Sequence, residues 1–576
     1  MHRANRLFLV PVLVVVAVFI QNVVAFLPVP SRTQHIILSN NLGSGVSTSR
    51  AFIRQNPSAV RQRFAGTVEN NASSNEGTGS IDNINHDVES IRKLPFQPST
   101  PASHYDTIIA GGGPAGLLAA IALAQKFGPN HKIAVCERRT EIPPSPSDAE
   151  VWNDVARFYL LGIGYRGQTA LQKFGVMEDF KKASVEVKGR RDWQPGQTNI
   201  EDGKITPSNK DPPSRVLARD KLVGLLHEHL VKNYIETAYQ IDLLYGYEVE
   251  PVDFGSAESD PVVVRISKCQ DIIIDNAESQ DSKELCDAEN SVIATTCFLI
   301  GCDGAARTVA NVMEQIDTER YQRMNPLRRA LSGQKPFRVT KFEDDNPRVY
   351  KSVPILLPPD WPQGLNYSAR SRNSRITLEA LPSDDKGYLC ALLLMKPDDE
   401  LAQPDVDPAK LRAFFDEEFP QFGALIDDDE MAKVAQKPAS RLPVFRFAGP
   451  RLNMNSRTIV LGDAAHTVKP YYGLGANTAL EDVQVLVEVL DEVTTNSRSA
   501  ENVKDIVPRA VQEFSNRRSA DSAALVTISR NMDRPGKLFF LNFLLPLILD
   551  GMFHKMAPRI VSKLCARRDV SVPIIS

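Results

Sequence analysis

The sequence predicts an α/β fold, and three observations predict it. A short apolar strand pattern, Tyr105–Ala110, runs straight into Gly111-Gly112-Gly113-Pro114-Ala115-Gly116 and then into a helical pattern that Gly128-Pro129 stops. A second strand pattern, Lys132–Cys136, ends on the acid Glu137. Far downstream, Thr458–Leu461 leads into Gly462-Asp463 and a second glycine loop, Gly473-Leu474-Gly475-Ala476-Asn477. Strand, glycine loop, helix, strand and terminal acid in this order make a βαβ unit of the Rossmann-like kind.

A chain of 576 residues exceeds one ordinary domain, and 42% hydrophobic with 24% charged residues is a globular balance. The formal net charge of −3 lacks the basic excess of a nucleic-acid binder, so no nucleic-acid partner is expected. The seven cysteines are scattered and none forms a Cys-x-x-Cys pair. That usage fits free thiols better than a disulfide framework, and it offers no metal site.

Taken in chain order, the N-terminus reads as an address. Arg3 and Arg6 precede the apolar run Leu7–Ile20, and small residues lead to Val24-Ala25, so residues 1–25 are expected to be a signal peptide. Residues 26–68 carry Arg32, Arg50, Arg54, Arg61 and Arg63 with several serines, and the first acid of the chain is Glu69. An acid-free, Arg- and Ser-bearing stretch has transit-peptide character. A signal peptide followed by such a stretch, with Phe26 just after Ala25, resembles the bipartite presequence of algae with secondary plastids. It implies a plastid address; a secreted protein with a pro-segment is the alternative. Residues 69–103, rich in Asn, Ser, Gly, Glu and Pro, are expected to be a linker.

The first glycine loop has a physical division of labour. Gly111 permits a tight turn, Gly113 lets a backbone approach a pyrophosphate, and Gly116 allows close helix–strand packing. The helix opening at Pro114-Ala115 presents unpaired N–H groups to the phosphates, while Glu137, with Arg138 beside it, can accept ribose hydroxyls. These residues do not separate FAD from NAD(P). The downstream ones do: Asp463, at the end of a buried strand, suits a ribityl hydroxyl. The helix opened by Gly475, Ala476 and Asn477 brings a positive end to a flavin ring.

The string Gly462-Asp-Ala-Ala-His466…Pro470…Gly473-x-Gly475-x-Asn477…Glu481-Asp482 resembles the single-component FAD-dependent aromatic hydroxylases, and within them the kynurenine 3-monooxygenases. Further matches are Cys297–Gly304 with its Asp303-Gly304 pair, Arg219 opening the next helix, Tyr165-Arg166-Gly167, Asn366-Tyr367 and Ala380-Leu381-Pro382. The resemblance covers about residues 105 to 555. It implies an aromatic hydroxylase fold: an α/β, Rossmann-like FAD-binding domain (104–182, 210–315 and 440–515) with an inserted β-sheet substrate domain (183–209 and 316–439) and C-terminal helices (516–576).

It also implies FAD as cofactor, NAD(P)H and O2 as co-substrates, and hydroxylation of a small aromatic or otherwise electron-rich molecule through a flavin C4a-hydroperoxide. Asp303, Gly304, Asp463, Gly475, Ala476, Asn477 and Arg219 then join the first loop at FAD. Pro470 would set its carbonyl beside the reacting centre, and His466, inside the fixed string, is expected to be structural rather than a general base. Candidate substrate contacts are Arg190, Arg191, Tyr471, Tyr472 and Asn531. Two departures stand out: the family continues Asp-Gly with a Ser and an Arg, where this chain has Arg307 and Ala310. The pocket tyrosines of the kynurenine enzymes have no counterpart between Asp192 and Arg219, and Ile548 stands at the C-terminal one. Two other readings fit the same residues, an FAD-dependent reductase of a plastid isoprenoid and a non-catalytic flavin-binding protein. The apolar stretch 538–549, too short to span a bilayer, is a candidate cap or peripheral membrane contact.

Overall fold

The computed structural model describes residues 100–152, 159–269, 286–332, 335–495, 503–535 and 545. The expected leader (1–25), the transit-type stretch (26–68), the linker up to residue 99 and, Leu545 apart, the apolar stretch 538–549 lie outside the described residues.

The central sheet has eight strands. Strand β1 (His104–Ala110) is followed by helix α1 (Pro114–Phe127), β2 (Ile133–Glu137), α2 (Arg219–Leu230), β3 (Ile241–Tyr245) and the long β4 (Cys286–Gly301). Strand β5 (Thr458–Val460), α3 (Leu474–Thr495) and α4 (Val503–Asp533) complete this half. The order is Asn453–Met454, β5, β4, β1, β2, β3, with the neighbours from β5 to β3 all parallel. Val262–Cys269 runs antiparallel beside β4 and pairs onward with Tyr247–Asp253. β1 from Thr107 onward and β2 up to Cys136 are buried because both faces of a parallel sheet are covered. One cover is α1, where every residue from Ala115 to Ala124 is buried, and α3 packs on it.

The register aligns the carboxyl ends. Ala110 pairs with Cys136 and with Gly301, and Gly301 pairs with Val460. The segments that follow, Gly111–Gly116, Glu137, Cys302–Gly304 and Gly462–Asp463, therefore leave one edge together, where open α/β sheets bind ligands.

A second sheet has seven strands in the order Ser440–Arg441, Val349–Leu356, Tyr388–Met395, Thr377–Pro382, Leu365–Arg370, Gly189–Trp193, Lys204–Pro207. All pairs are antiparallel except Leu365–Arg370 with Gly189–Trp193. One face carries Val353, Tyr367, Leu378, Ala391 and Leu393, which share a core with Phe415, Phe419, Phe422 and Val434 from the following helices. The opposite face is half-buried. Its Leu381 and Leu392 pack against Leu160, Val187, Val216 and Ala218, around a three-stranded sheet of Leu160–Ile163, Arg215–Ala218 and Val185–Glu186.

The expected segment limits shift in two places. The helix Thr308–Arg323 runs unbroken through position 316, and Ser440–Arg441 pairs with Val349 and Tyr350, so the second sheet reaches Arg441. Among the described residues, no helix is long and apolar enough to cross a membrane.

Candidate active site

The first glycine loop has the geometry its residue types call for. Gly111 sits at φ 105° and donates its N–H to the Cys136 carbonyl at 2.7 Å. A side chain there, or at Gly116, would run into backbone: the Cys302 carbonyl for Gly111 and the Gly111 carbonyl for Gly116. Gly113 differs. A Cβ at that position would meet only Arg219 Nη2, at 3.9 Å, so this side of the loop is open. Gly113 is the N-cap of α1, no side chain caps the helix, and Pro114 occupies its first turn. An uncapped helix start on an open glycine face suits an anion such as a pyrophosphate.

Glu137 is held in place by backbone. Its Oε2 accepts from Gly112 N–H at 2.8 Å and its Oε1 from Arg139 N–H at 3.1 Å. Arg138 is exposed beside it. Arg219, at the start of α2, donates to Asp220 Oδ1 at 2.7 Å while lying beside Gly113. Asp303 accepts from Val309 N–H at 3.0 Å through Oδ2, and its buried Oδ1 has no protein partner. Burial lifts its carboxyl to about 6. Gly304 follows at φ 58°. An orphaned acceptor next to Gly111 is what a bound hydroxyl donor would satisfy.

The downstream motif is braced by a buried charge network. Asp482 is fully buried; its Oδ2 accepts from Gly462 N–H at 2.9 Å and bonds His466 Nε2 at 2.8 Å. Its Oδ1 accepts from Arg518 Nε at 2.9 Å and Nη2 at 2.5 Å. The Arg518 and His466 partners, with the Gly462 amide, overcome the cost of burial and hold its carboxyl well below the usual range. His466 is fully buried in this network. The exposed Asp463 carboxylate then lies beside the second loop, 3.7 Å from where a Gly475 Cβ would sit. Ala476 stands next to Gly475 in the first turn of α3.

Arg307, one of the departures noted in the sequence, is 1% exposed and left-handed at φ 54°. Its Nη2 donates to the Asp463 backbone carbonyl at 2.5 Å and to Thr467 Oγ1. It thereby ties the Asp303 turn to the Asp463 turn. Burial, with Arg446 nearby, brings its guanidinium down to about 10.

Pro470 opens a short turn whose carbonyl accepts from Gly473 N–H at 3.2 Å. Before it stands Lys469, buried and absent from the sequence-based candidates. Its Nζ reaches Asp344 Oδ1 at 2.7 Å, Asn346 O at 2.7 Å and Asp533 Oδ2 at 2.8 Å. The lysine thus joins the loop, the start of the second sheet and the end of α4. Tyr471 hydrogen-bonds Asp533, and burial raises its hydroxyl pKa, as the Asp533 charge also does. Asn531 lies on the same helix end and accepts from Arg534 Nη1 at 3.3 Å. The Tyr472 side chain is not among those described.

Two candidates need correcting. Arg191 does not face the site. On Gly189–Trp193 alternate residues are buried, and Arg191 points to the helix-covered face, stacked on Trp193 and Trp361 at 4.9 and 5.1 Å. Its guanidinium donates to the Ile200 carbonyl at 2.6 Å and the Gly203 carbonyl at 3.3 Å. Arg190 is the one on the opposite face, bonded to Asp192. The Asn477 carboxamide is also committed elsewhere. Its Oδ1 accepts from Gly164 and Gly167 N–H, and its Nδ2 donates to the Gly162 and Gly473 carbonyls. Asn477 shapes the loop without offering its side chain to a ligand.

Tyr159 is a further residue absent from the sequence-based candidates. It lies near both Tyr350 of the second sheet and Asp463, and burial raises its hydroxyl pKa.

Comparison with known proteins agrees with this geometry. Residues 248–507 match the family model described as an FAD binding domain. Kynurenine 3-monooxygenase of Myxococcus xanthus is 25% identical over 401 residues, covering 67% of this chain and 71% of its own. The enzyme of the same name from Dictyostelium discoideum is 24% identical over 424 residues, covering 73% and 78%. The chain is an FAD-dependent oxidoreductase similar to the kynurenine 3-monooxygenases. Among solved structures, PqsL, a probable FAD-dependent monooxygenase from Pseudomonas aeruginosa, aligns with a TM-score of 0.46 at 16% identity, over 75% of this chain and 96% of that one.

Proposed function

We propose that this monooxygenase uses a reduced nicotinamide, NAD(P)H, and O2 to hydroxylate a small aromatic or similarly electron-rich molecule. The observation that carries the reading is the meeting of both glycine loops and Asp463 at one sheet edge, with Tyr159 and Tyr350 leading from Asp463 to the half-buried face of the second sheet. That arrangement would set a cofactor edge toward the half-buried face of the second sheet.

The residues fit FAD. Gly113 with the uncapped start of α1 would take the pyrophosphate, Glu137 and Arg219 would flank it, and Asp303 Oδ1 and Asp463 would accept hydroxyl donors. When bound, FAD supplies electron transfer from the nicotinamide to dioxygen. The chain's own part is electrostatic and steric. The amides of Gly475 and Ala476 set the positive end of α3 toward developing negative charge. Arg307 holds the turn that carries Asp463, and the Lys469 network fixes the Pro470 turn against the second sheet and α4. Leu381 and Leu392 help exclude water.

The experiment is anaerobic mixing of the FAD-loaded protein with NADPH, alone and with a panel of ring compounds, quinones and isoprenoids. Flavin bleaching that accelerates when an aromatic is present supports the reading. Bleaching that responds only to isoprenoids would favour a reductase, and a flavin never bleached by NADPH or NADH would favour a non-catalytic flavoprotein; either overturns it.

A further inference from the structure

The inner face of the second sheet carries polar groups with no part in the roles above. Ser352, Leu392, Glu379, Ser368 and Asp192 pair in one row across five strands, so they share a face. Glu379 lies there beside Leu381 and Leu392, which pack on the three-stranded sheet. Ser368 Oγ donates to Glu379 Oε1 at 2.8 Å. Burial raises the Glu379 carboxyl above its ordinary range, against the pull of Ser368, Arg190 and Arg370. The nearest candidate counterion is engaged elsewhere: Arg190 bonds Asp192 Oδ1 at 2.8 Å through Nε and at 2.5 Å through Nη2.

Two residues before Ser368, on the same face, Asn366 has a buried Oδ1 with no protein partner. Buried acceptors are seldom left without donors, so an orphan on this half-buried face points to a donor on a ligand. Tyr350, two residues before Ser352 on the same face, lies near Tyr159, as Asp463 does.

Resting on the hydroxylase reading, we propose that Glu379 and Asn366 are the specificity-determining acceptors of the substrate pocket and select ring compounds that carry an amino or hydroxyl donor. Without a donor on the ring, both acceptors are desolvated against an apolar surface. With one, the Glu379 carboxylate gains a charge-assisted hydrogen bond.

The test uses the full chain as FAD holoenzyme. Aniline and phenol are titrated against N,N-dimethylaniline and anisole, with binding read from perturbation of the flavin absorbance. The donors are expected to bind about tenfold tighter than their methylated counterparts. Glu379→Leu is expected to bring the ratio below about twofold with FAD content unchanged, while Glu379→Gln keeps part of it. Asn366→Leu is a second route to the same loss if Glu379→Leu fails to fold. No donor preference in the unaltered protein, a preference untouched by these substitutions, or failure of all four probes to bind would overturn the proposal. Donor-selective binding without NADPH-dependent oxygenation would instead sink the hydroxylase reading and leave the acceptors standing.

Discussion

Replacing Asp482 with Asn tests the bracing of the flavin motif most severely. The carboxylate is fully buried and compensates Arg518 while it fixes the Gly462 amide and His466. Breaking one partner of a buried pair typically costs about 3–5 kcal/mol, because the other charge is left uncompensated. Here Arg518 would keep Glu481 at 3.1 Å and Asp521 at 3.5 Å, which places the loss near the lower end, about 3 kcal/mol. Adding Arg518→Met removes the stranded cation, so the double variant is expected to lose about 2 kcal/mol less than the sum of the singles. FAD affinity should fall in Asp482→Asn, since the turn carrying Asp463 loses its anchor.

The sign with pH follows from a carboxyl depressed in the folded chain. Its contribution is present above the unfolded value of about 4 and is lost as pH falls toward the lower folded value. Asp482→Asn should therefore lack that part of the acid loss. The assay is urea unfolding of the FAD-free protein at several pH values, with FAD titration alongside. A stability within about 0.5 kcal/mol of the unaltered protein, or single-variant losses that simply add, would refute the reasoning.

Other outcomes follow from the same geometry. Gly113→Ala should fold normally but lose FAD, because its Cβ meets little protein and projects into the open face, whereas Gly116→Ala should lose both; unfolding curves and FAD titration separate them. His227 is lowered from 6.5 to about 4 by burial, so stability is full above pH 6.5 and falls as the unfolded chain takes up the proton. That loss should reach about 2 kcal/mol at pH 5 and be absent in His227→Phe, by unfolding at pH 7 and pH 5. Residues 1–70 fused to a fluorescent protein are expected to mark the plastid in an alga with secondary plastids, and a secreted signal would contradict that address.

Local patterns made the flavin half legible. Each of Gly111, Gly113, Gly116 and Glu137 acts within one strand–loop–helix–strand unit, where short spacing determines geometry. The same holds for Gly462-Asp463 and its following loop. What sequence spacing cannot carry is the meeting of distant segments. Lys469 gains its partners from Asp344 and Asp533, Asp482 gains Arg518 from another helix, and Glu379 shares a face with Ser368 and Asp192 only because five strands align. Arg190 and Arg191 were equivalent in the sequence; strand alternation sends Arg191 into an aromatic core and leaves Arg190 on the inner face. Arg307 stood out as a departure, but its burial beneath Asp463 needed the crossover between two turns. Asn477 shows the reverse: it stands in the loop that its motif names, yet its carboxamide serves the Gly162–Gly167 backbone.

As proposed, this flavoprotein would insert one atom of dioxygen into a ring. The direct measurement is turnover of the FAD-loaded chain with NADPH and an accelerating aromatic under isotopically heavy O2, followed by mass analysis of the product. One heavy oxygen atom per product molecule, coupled to NADPH consumed, is the expected result. Product oxygen drawn from water, or a reduced product with no oxygen added, would contradict it.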